Sequence, residues 1–277
     1  MKTILLPTDF SDVAKNAGQY AIAIARQTGA NKIVLYNAYQ APVITEPTMP
    51  VVQMIDMDTL KNITDEGLNT FKNWMQKILP EGIELETLSE FAVLSNNIEE
   101  VCERTNADLV VMGITGGSKI EEVLIGSTAI SVINHSKVPV IVIPPNAVFT
   151  EIKTVALACD FKKIEETTPL ESIKTILKDT GANFIVLHVD HNHKHFTEAT
   201  RKESEKLQQM LHELNPQFHF IDHEDFVEGI NEFADNHKVD LLITIPKKHG
   251  LFEGLFKRSH TKQLAFHSHV PLMCIHE

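Results

Sequence analysis

Two stretches of this chain are copies of each other, and the repeat constrains the fold more than any other feature. "DLVVMGITGG…VPVIVIP" covers Asp108 to Pro144, and "DLLITIPKKH…VPLMCIH" covers Asp240 to His276; they align without a gap at an offset of 132 residues. Nine of the 37 aligned positions are identical, where chance at ordinary residue frequencies gives about two or three. The starts of the halves also correspond. "ILLPTDF" (Ile4–Phe10) resembles "VALACDF" (Val155–Phe161), and "KIVLYNA" (Lys32–Ala38) resembles "FIVLHVD" (Phe184–Asp190). One structural unit therefore occurs twice, and 277 residues suffice for each copy to bury its own core. The expected units are 1–146 and 147–277, joined at "PPNAVFTE", which has the Pro-Pro-Asn punctuation of a boundary.

Within a copy, short apolar runs alternate with longer amphipathic ones. In the first half strands are expected at Lys2–Pro7, Lys32–Ala38, Glu84–Phe91, Asp108–Gly113 and Val138–Ile143, with helices at Asp12–Thr28, Asp58–Leu79, Asn97–Thr105 and Ser127–His135. In Asp12–Thr28, Val13, Ala17, Ala21, Ile24 and Ala25 recur near the helical period. Strands separated by helices imply a parallel sheet covered on both faces, and runs such as "LVVM" and "VIVI" suit strands buried on two sides. The fold class is α/β, with two tandem open parallel sheets and ligands expected beyond the carboxyl ends of the strands. The closing strands Val138–Ile143 and Val270–Ile275 are expected to pair within the chain, making a pseudo-dimer of the two halves. Gln40–Asp56 carries three prolines and little periodicity, and is expected to be a cover at the ligand edge.

Charge and composition narrow the function classes. The 25 basic and 37 acidic residues leave a net charge of −12, which disfavours a sequence-independent grip on nucleic acid. No apolar run reaches membrane-spanning length, and "MKTILLPTDFSD" meets an acidic residue too early for a signal peptide. Cys102, Cys159 and Cys274 are far apart and form no C-x-x-C. A cytoplasmic location is expected.

The first half holds the chemistry. In "MGITGGSKIEEVLIGSTA", a strand ends at Met112 and Gly113, and Gly116 and Gly117 permit a turn with positive φ. Successive N–H groups in such a turn form a concave anion site. Gly126 then precedes Ser127 and Thr128 at the start of a helix, whose free N–H groups and dipole favour phosphate, with Ser127 in position to cap it. The pattern is neither a Walker P-loop nor a G-x-G-x-x-G fingerprint. It reads equally as a Gly-rich connector before a capped helix.

"LLPTDFS", the G-x2-G-x9-G-S spacing of Gly113–Ser127, and the closing "VPVIVIP" together resemble the nucleotide-binding branch of the universal stress proteins, over the whole first half. The resemblance implies a five-stranded parallel sheet of the adenine nucleotide alpha hydrolase-like type, binding ATP or AMP, with Mg²⁺ beside ATP. It implies that Asp9 meets the ribose and adenine side, with Pro7 and Thr8 shaping the pocket; by its place alone, Asp9 also fits as a cap for the next helix. Asn37 matches the position whose backbone contacts the adenine edge, although valine is commoner there. Met112 and Gly113 lie under the ribose, and Gly116, Gly117, Gly126, Ser127 and Thr128 hold the phosphates.

The second half departs from this pattern. Ile245, Lys248 and Arg258 stand opposite Gly113, Gly116 and Gly126; Ser259 persists, and His260 replaces Thr128. Ala158 and Cys159 replace Pro7 and Thr8, while Asp160 persists. The fold is expected to be kept and the nucleotide site lost. Thirteen of the 14 histidines follow residue 187; "HVDHNHKH" offers metal-ligand types on what reads as a surface turn. The expected function is a regulatory stress-response protein binding an adenine nucleotide in its first unit, with an unidentified protein partner. The competing classes are a slow ATP-hydrolysing or adenylating enzyme, for which no base and orienter pair stands out, and a nucleotide-free interaction module.

Overall fold

A computed structural model describes residues 1–40, 56–114, 127–149, 151–190, 197–246 and 270–276. In the first half β1 (Thr3–Pro7), α1 (Asp12–Thr28), β2 (Lys32–Tyr39), α2 (Met57–Gln76), β3 (Glu84–Phe91), α3 (Leu94–Thr105), β4 (Leu109–Gly113), α4 (Ser127–His135) and β5 (Val140–Ile143) alternate as the sequence pattern predicts. The second half follows with β6 (Thr154–Ala158), α5 (Ile164–Thr167), α6 (Leu170–Thr180), β7 (Asn183–Asp190), α7 (Glu198–Met210), β8 (Gln217–Asp222), α8 (Phe226–Asn236), β9 (Leu241–Thr244) and β10 (Leu272–Cys274). Expected and observed ends differ by up to three residues, the usual fraying of element boundaries.

Among the described residues the strands form one ten-stranded sheet in the order β3-β2-β1-β4-β5-β10-β9-β6-β7-β8. Read outward from the middle, the two halves have the same order. Neighbours within a half run parallel. The seam is antiparallel, with Leu272 opposite Val142, Met273 opposite Ile141 and Cys274 opposite Val140. Each half thus supplies the edge that its partner lacks, and neither closing strand is left open to pair with another molecule.

The helices start and stop for local reasons. Ser11 caps α1 by accepting from the Ala14 N–H, and Gly29 ends it at φ 73°, a conformation that costs glycine little. Ala17, Ala21, Ile24 and Ala25 face the core, as their spacing predicts. On β1, Ile4, Leu5 and Leu6 are completely buried, each gaining roughly 1.5–3 kcal/mol relative to exposure. The repeated aspartates have one job in both halves. Asp108 Oδ2 accepts from the N–H groups of Lys2 and Thr3 at 2.6 and 3.0 Å. Asp240 Oδ2 accepts from Lys153 and Thr154 at 2.8 and 2.9 Å. Each carboxylate fastens the start of its unit's first strand to the strand beside it.

Further ties bind the halves. Asn16 on α1 donates to the carbonyls of Pro144, Pro145 and Ala147, and Gln27 bonds to both backbone groups of Ile152 and to the Thr180 carbonyl. The amino terminus pairs with Asp179 at 2.8 Å. No described helix is long and apolar enough to cross a membrane.

Candidate functional site

A cavity of about 530 Å³ opens at the carboxyl ends of β1, β2 and β4, the place where open parallel sheets hold ligands. Of the residues singled out in the sequence, Pro7, Thr8, Asp9, Asn37, Met112, Gly113, Ser127 and Thr128 all line it. They come from four elements spread over the first half, and only the fold brings them together. Gly116, Gly117 and Gly126 lie outside the described residues, as does most of the Gln40–Asp56 segment.

The floor is the exit from β1. The Thr8 N–H donates to the Tyr36 carbonyl at 2.9 Å. The Thr8 hydroxyl accepts from Phe10 N–H at 3.0 Å, and Asp9 Oδ1 from Ser11 N–H at 3.0 Å. Phe10 takes φ 66° in this elbow. Asp9 is therefore not the cap of α1; Ser11 is. Asp9 turns the chain two residues earlier. Asn37 is nearly buried and donates from Nδ2 to the Thr8 carbonyl at 2.7 Å, so its side chain ties β2 to the elbow.

Gly113 ends β4 where α1 comes closest. A Cβ there would stand 2.7 Å from Val13 Cγ1 and 2.8 Å from the Val13 carbonyl oxygen. The absence of a side chain is required by the approach of α1, whatever the cavity holds. Ser127 and Thr128 form the exposed first turn of α4. Ser127 is the first helical residue rather than the cap, a shift of one position from the sequence expectation. The first N–H groups of a helix have no partner within it, so this turn offers donors and the positive end of the dipole to the cavity.

The sequence reading missed the opposite wall. Ala92, Val93, Leu94 and Ser95, at the turn from β3 into α3, line the cavity with Tyr36 and Ala38 of β2. No motif marks them; the rule that ligands gather at strand carboxyl ends was the available signal. Behind this wall a polar cluster holds α3 to the sheet. Tyr36 donates its hydroxyl proton to Glu90 at 3.2 Å, and Asn97 Nδ2 donates to both Glu90 and Tyr36 at 2.6 and 3.1 Å. Arg104 pairs with Glu90 at 2.5 Å. Burial pushes the Tyr36 hydroxyl above its ordinary pKa, which keeps it a donor. Among the described residues Asp9 is the one charged side chain on the cavity wall. Among the described residues, an anion here would meet backbone N–H groups, hydroxyls and the start of α4.

The second half keeps the elbow and changes what surrounds it. Cys159 N–H donates to the Leu187 carbonyl, Asp160 Oδ1 accepts from Lys162, and Phe161 has φ 48°. Pro7 pairs with Tyr36 and Ala158 with Leu187, which shifts the sequence alignment of Lys32–Ala38 with Phe184–Asp190 by one residue; His188 therefore stands where Asn37 does and bonds through Nδ1 to the Cys159 carbonyl at 2.8 Å. Buried Ile245, however, replaces Gly113, and the helical segment after β6 is broken. Where α1 runs unbroken for 17 residues, α5 stops at Thr167 and α6 restarts after Pro169. Lys248, Arg258, Ser259, His260, His191, His193 and His195 lie outside the described residues.

The universal stress protein family model matches residues 1–144 and again 151–276. Universal stress protein MJ0531 of Methanocaldococcus jannaschii is 34% identical over 142 residues, covering 51% of this chain and 81% of that protein. Universal stress protein YxiE of Bacillus subtilis is 25% identical over 143 residues, covering 50% of this chain and 97% of that protein. A universal stress protein from Archaeoglobus fulgidus superposes on 99% of this chain and 98% of its own, at a TM-score of 0.71 and 20% identity, which establishes the shared fold. With the family's unit matched in both halves, the chain belongs to the universal stress protein family as a tandem member.

Proposed function

We propose that the first half binds one adenine nucleotide, ATP or AMP, and that the protein acts in stress response as a nucleotide-responsive regulator rather than as a dedicated enzyme. The observation that carries this reading is the cavity of about 530 Å³ at the carboxyl ends of β1, β2 and β4, a volume within the roughly 300–1,000 Å³ of small-molecule sites. Its two ends differ in character. Tyr36, Ala38, Val93 and Leu94 form a mostly apolar wall suited to a flat base. Ser127 and Thr128 at the start of α4 suit phosphate.

In this reading Pro7, Thr8 and Asp9 bound the ribose side, Asn37 the base side, and Met112 and Gly113 the floor. Gly116, Gly117, Gly126, Ser127 and Thr128 supply the phosphate contacts. With no basic side chain on the described wall, Mg²⁺ would neutralise the triphosphate, held mainly by phosphate oxygens and water. The units are proposed to divide near residue 146 and to work in the cytoplasm. The second serves as a packing and protein-interaction module.

Calorimetric titration of the full chain with ATP tests this. A stoichiometry near one is expected, and Gly126→Arg, which copies Arg258, should abolish binding in a folded protein. Two equivalents bound per chain would contradict the loss of the second site. No binding of ATP or AMP would end the nucleotide reading.

A further inference from the structure

A second cavity lies where the two halves meet. Its volume is about 380 Å³, within the range of small-molecule sites, and it shares no wall residue with the first cavity. The wall draws Tyr20 from α1, Val148 and Glu151 from the segment joining the halves, and Asp235, Lys238 and Asp240 from the end of α8 and the turn into β9. Three carboxylates against one ammonium leave the described wall with an excess of negative charge.

An acidic wall alone is ordinary solvated surface. Tyr20 sets this one apart. It is 5% exposed, and its ring packs edge-on to Phe149 at 4.8 Å. Among the described residues its hydroxyl is in no hydrogen bond, and the oxygen is not sealed from solvent. Burial, and secondarily the Asp240 carboxylate, raises the Tyr20 pKa. The hydroxyl end of the ring therefore keeps its proton and lies within the field of a carboxylate on the same wall. A nearly buried polar group without a partner calls for one.

Asp240 has a structural task that occupies half of its carboxylate. Oδ2 accepts from Lys153 and Thr154, while Oδ1 is in no hydrogen bond among the described residues. Asp108 does the same work in the first half on exposed surface. Fastening a strand thus requires no cavity beside the carboxylate, yet half-buried Asp240 has one.

The wall also narrows the ligand. Among the described residues no three His, Cys, Asp or Glu side chains converge to hold a metal ion. The carboxylates instead share the wall with apolar Val148, Val239 and Val270. Separated negative charges and apolar surface suit separated positive charges joined by methylenes. We propose that this cavity binds a short aliphatic polyamine, its ammonium groups on Asp240, Glu151 and the Tyr20 oxygen and its methylenes against the valines. Glu151 pairs with Lys153 at 3.2 Å, an exposed contact that a ligand displaces at little cost. Lys238 is exposed, and its long stem lets the ammonium stay in water.

Calorimetric titration of the full chain with spermidine tests this, without nucleotide because polyamines bind ATP themselves. At about 0.1 M salt, where charges beyond roughly 10 Å are screened, saturable binding with a stoichiometry near one is expected. Tyr20→Phe removes the hydroxyl and keeps the ring on Phe149; affinity should fall about tenfold. Glu151→Gln, at an exposed position that does not threaten the fold, should lower it about threefold. Lys238→Asn copies Asn106 at the matching place in the first half, where the backbone is the same, φ 50° against 51°. It removes a cation from the wall and should raise affinity about threefold. Glu81→Gln, exposed and off the cavity wall, should change nothing. Absence of saturable binding, or equal affinity in wild type, Tyr20→Phe and Glu151→Gln, would overturn the proposal. So would weaker binding by Lys238→Asn, which marks an anionic ligand, or displacement of spermidine by an equal concentration of Mg²⁺, which marks a simple ion site.

Discussion

The exits from β1 and β6 are nearly superimposable in their bonding, whereas the surroundings of Gly113 and Ile245 are not. In both exits a strand ends, the next residue accepts from two residues on, a phenylalanine takes positive φ, and a side chain from the neighbouring strand ties the carbonyl. The sequences differ there, Thr8 against Cys159 and Asn37 against His188, yet the geometry is the same. At Gly113 one missing side chain lets α1 run straight against β4. At Ile245 the side chain is β-branched and buried, and the helical segment after β6 is interrupted between Thr167 and Leu170. The comparison separates what both halves share from what the first half adds. The elbow is fold, and it tolerates chemically different residues that bond alike. Among the described residues, the close approach of α1 to Gly113 has no counterpart at Ile245.

The largest effect is expected where the halves meet. Met273 is completely buried between β9 and β5. Met273→Asp would place a carboxyl in the seam, at a cost of about 4 kcal/mol or more. The single tryptophan, Trp74, lies on α2 in the first half and reports unfolding there. If the shared sheet couples the halves, a lesion on β10 should lower the urea midpoint seen by Trp74 fluorescence. A Trp74 transition that does not move would mean that the first half stands alone.

Next comes the exchange of the two matched residues. Gly113→Ile forces a Cβ against the Val13 backbone and should cost about 3 kcal/mol and eliminate ATP binding. Ile245→Gly removes a buried side chain and should cost about 2–4 kcal/mol without creating a second site, because the helix break at Pro169 remains. Denaturation and calorimetry on both variants decide it. A Gly113→Ile protein of wild-type stability would show that α1 yields readily. A gain of ATP binding by Ile245→Gly would show that the second half lacks nothing but that space.

The fold was legible because its signals are redundant: the repeat, the alternation of apolar runs and the paired closing strands all give the same order of elements. Eight of the proposed site residues were legible from the motifs and converge on one cavity. The turn at Ala92–Ser95 was not, because an apolar wall carries no spacing signature and only the pairing of β2 with β3 brings it to the site. Nor was the reason for Gly113. A glycine needed for a helix to pass closely looks the same in sequence as a glycine needed for phosphate. The tie from Asn37 to Thr8 was hidden for a related cause: it joins residues 29 apart whose types suggest no partnership.

A smaller and more even effect is expected from the repeated aspartates. Asp108→Ala and Asp240→Ala each strip the acceptor from two backbone N–H groups and should each cost about 2 kcal/mol. Near-equal losses in urea unfolding would confirm that the repeat does the same structural work twice. A difference above about 1 kcal/mol would show that one half depends more on its fastener than the other.

The smallest effect is one of pH, and it too distinguishes the halves. His219 on β8 packs edge-on to Phe233 at 5.1 Å and to His237 at 5.0 Å, and His237 stacks on Phe233 at 3.8 Å. Burial, and secondarily the neighbouring His237, lowers the His219 pKa from its ordinary 6.5. The folded state therefore resists a proton that the unfolded chain accepts. Above 6.5 neither state binds it, and no stability depends on this group. As the pH falls through 6.5 the unfolded state takes up the proton first, so stability declines with decreasing pH. His219→Phe should flatten that decline while leaving stability near pH 8 little changed, since an aromatic ring still packs on Phe233. The variant and wild type should then diverge in urea midpoint only as the pH drops from 7 toward 5. Parallel curves across that range would show that His219 carries none of the acid sensitivity.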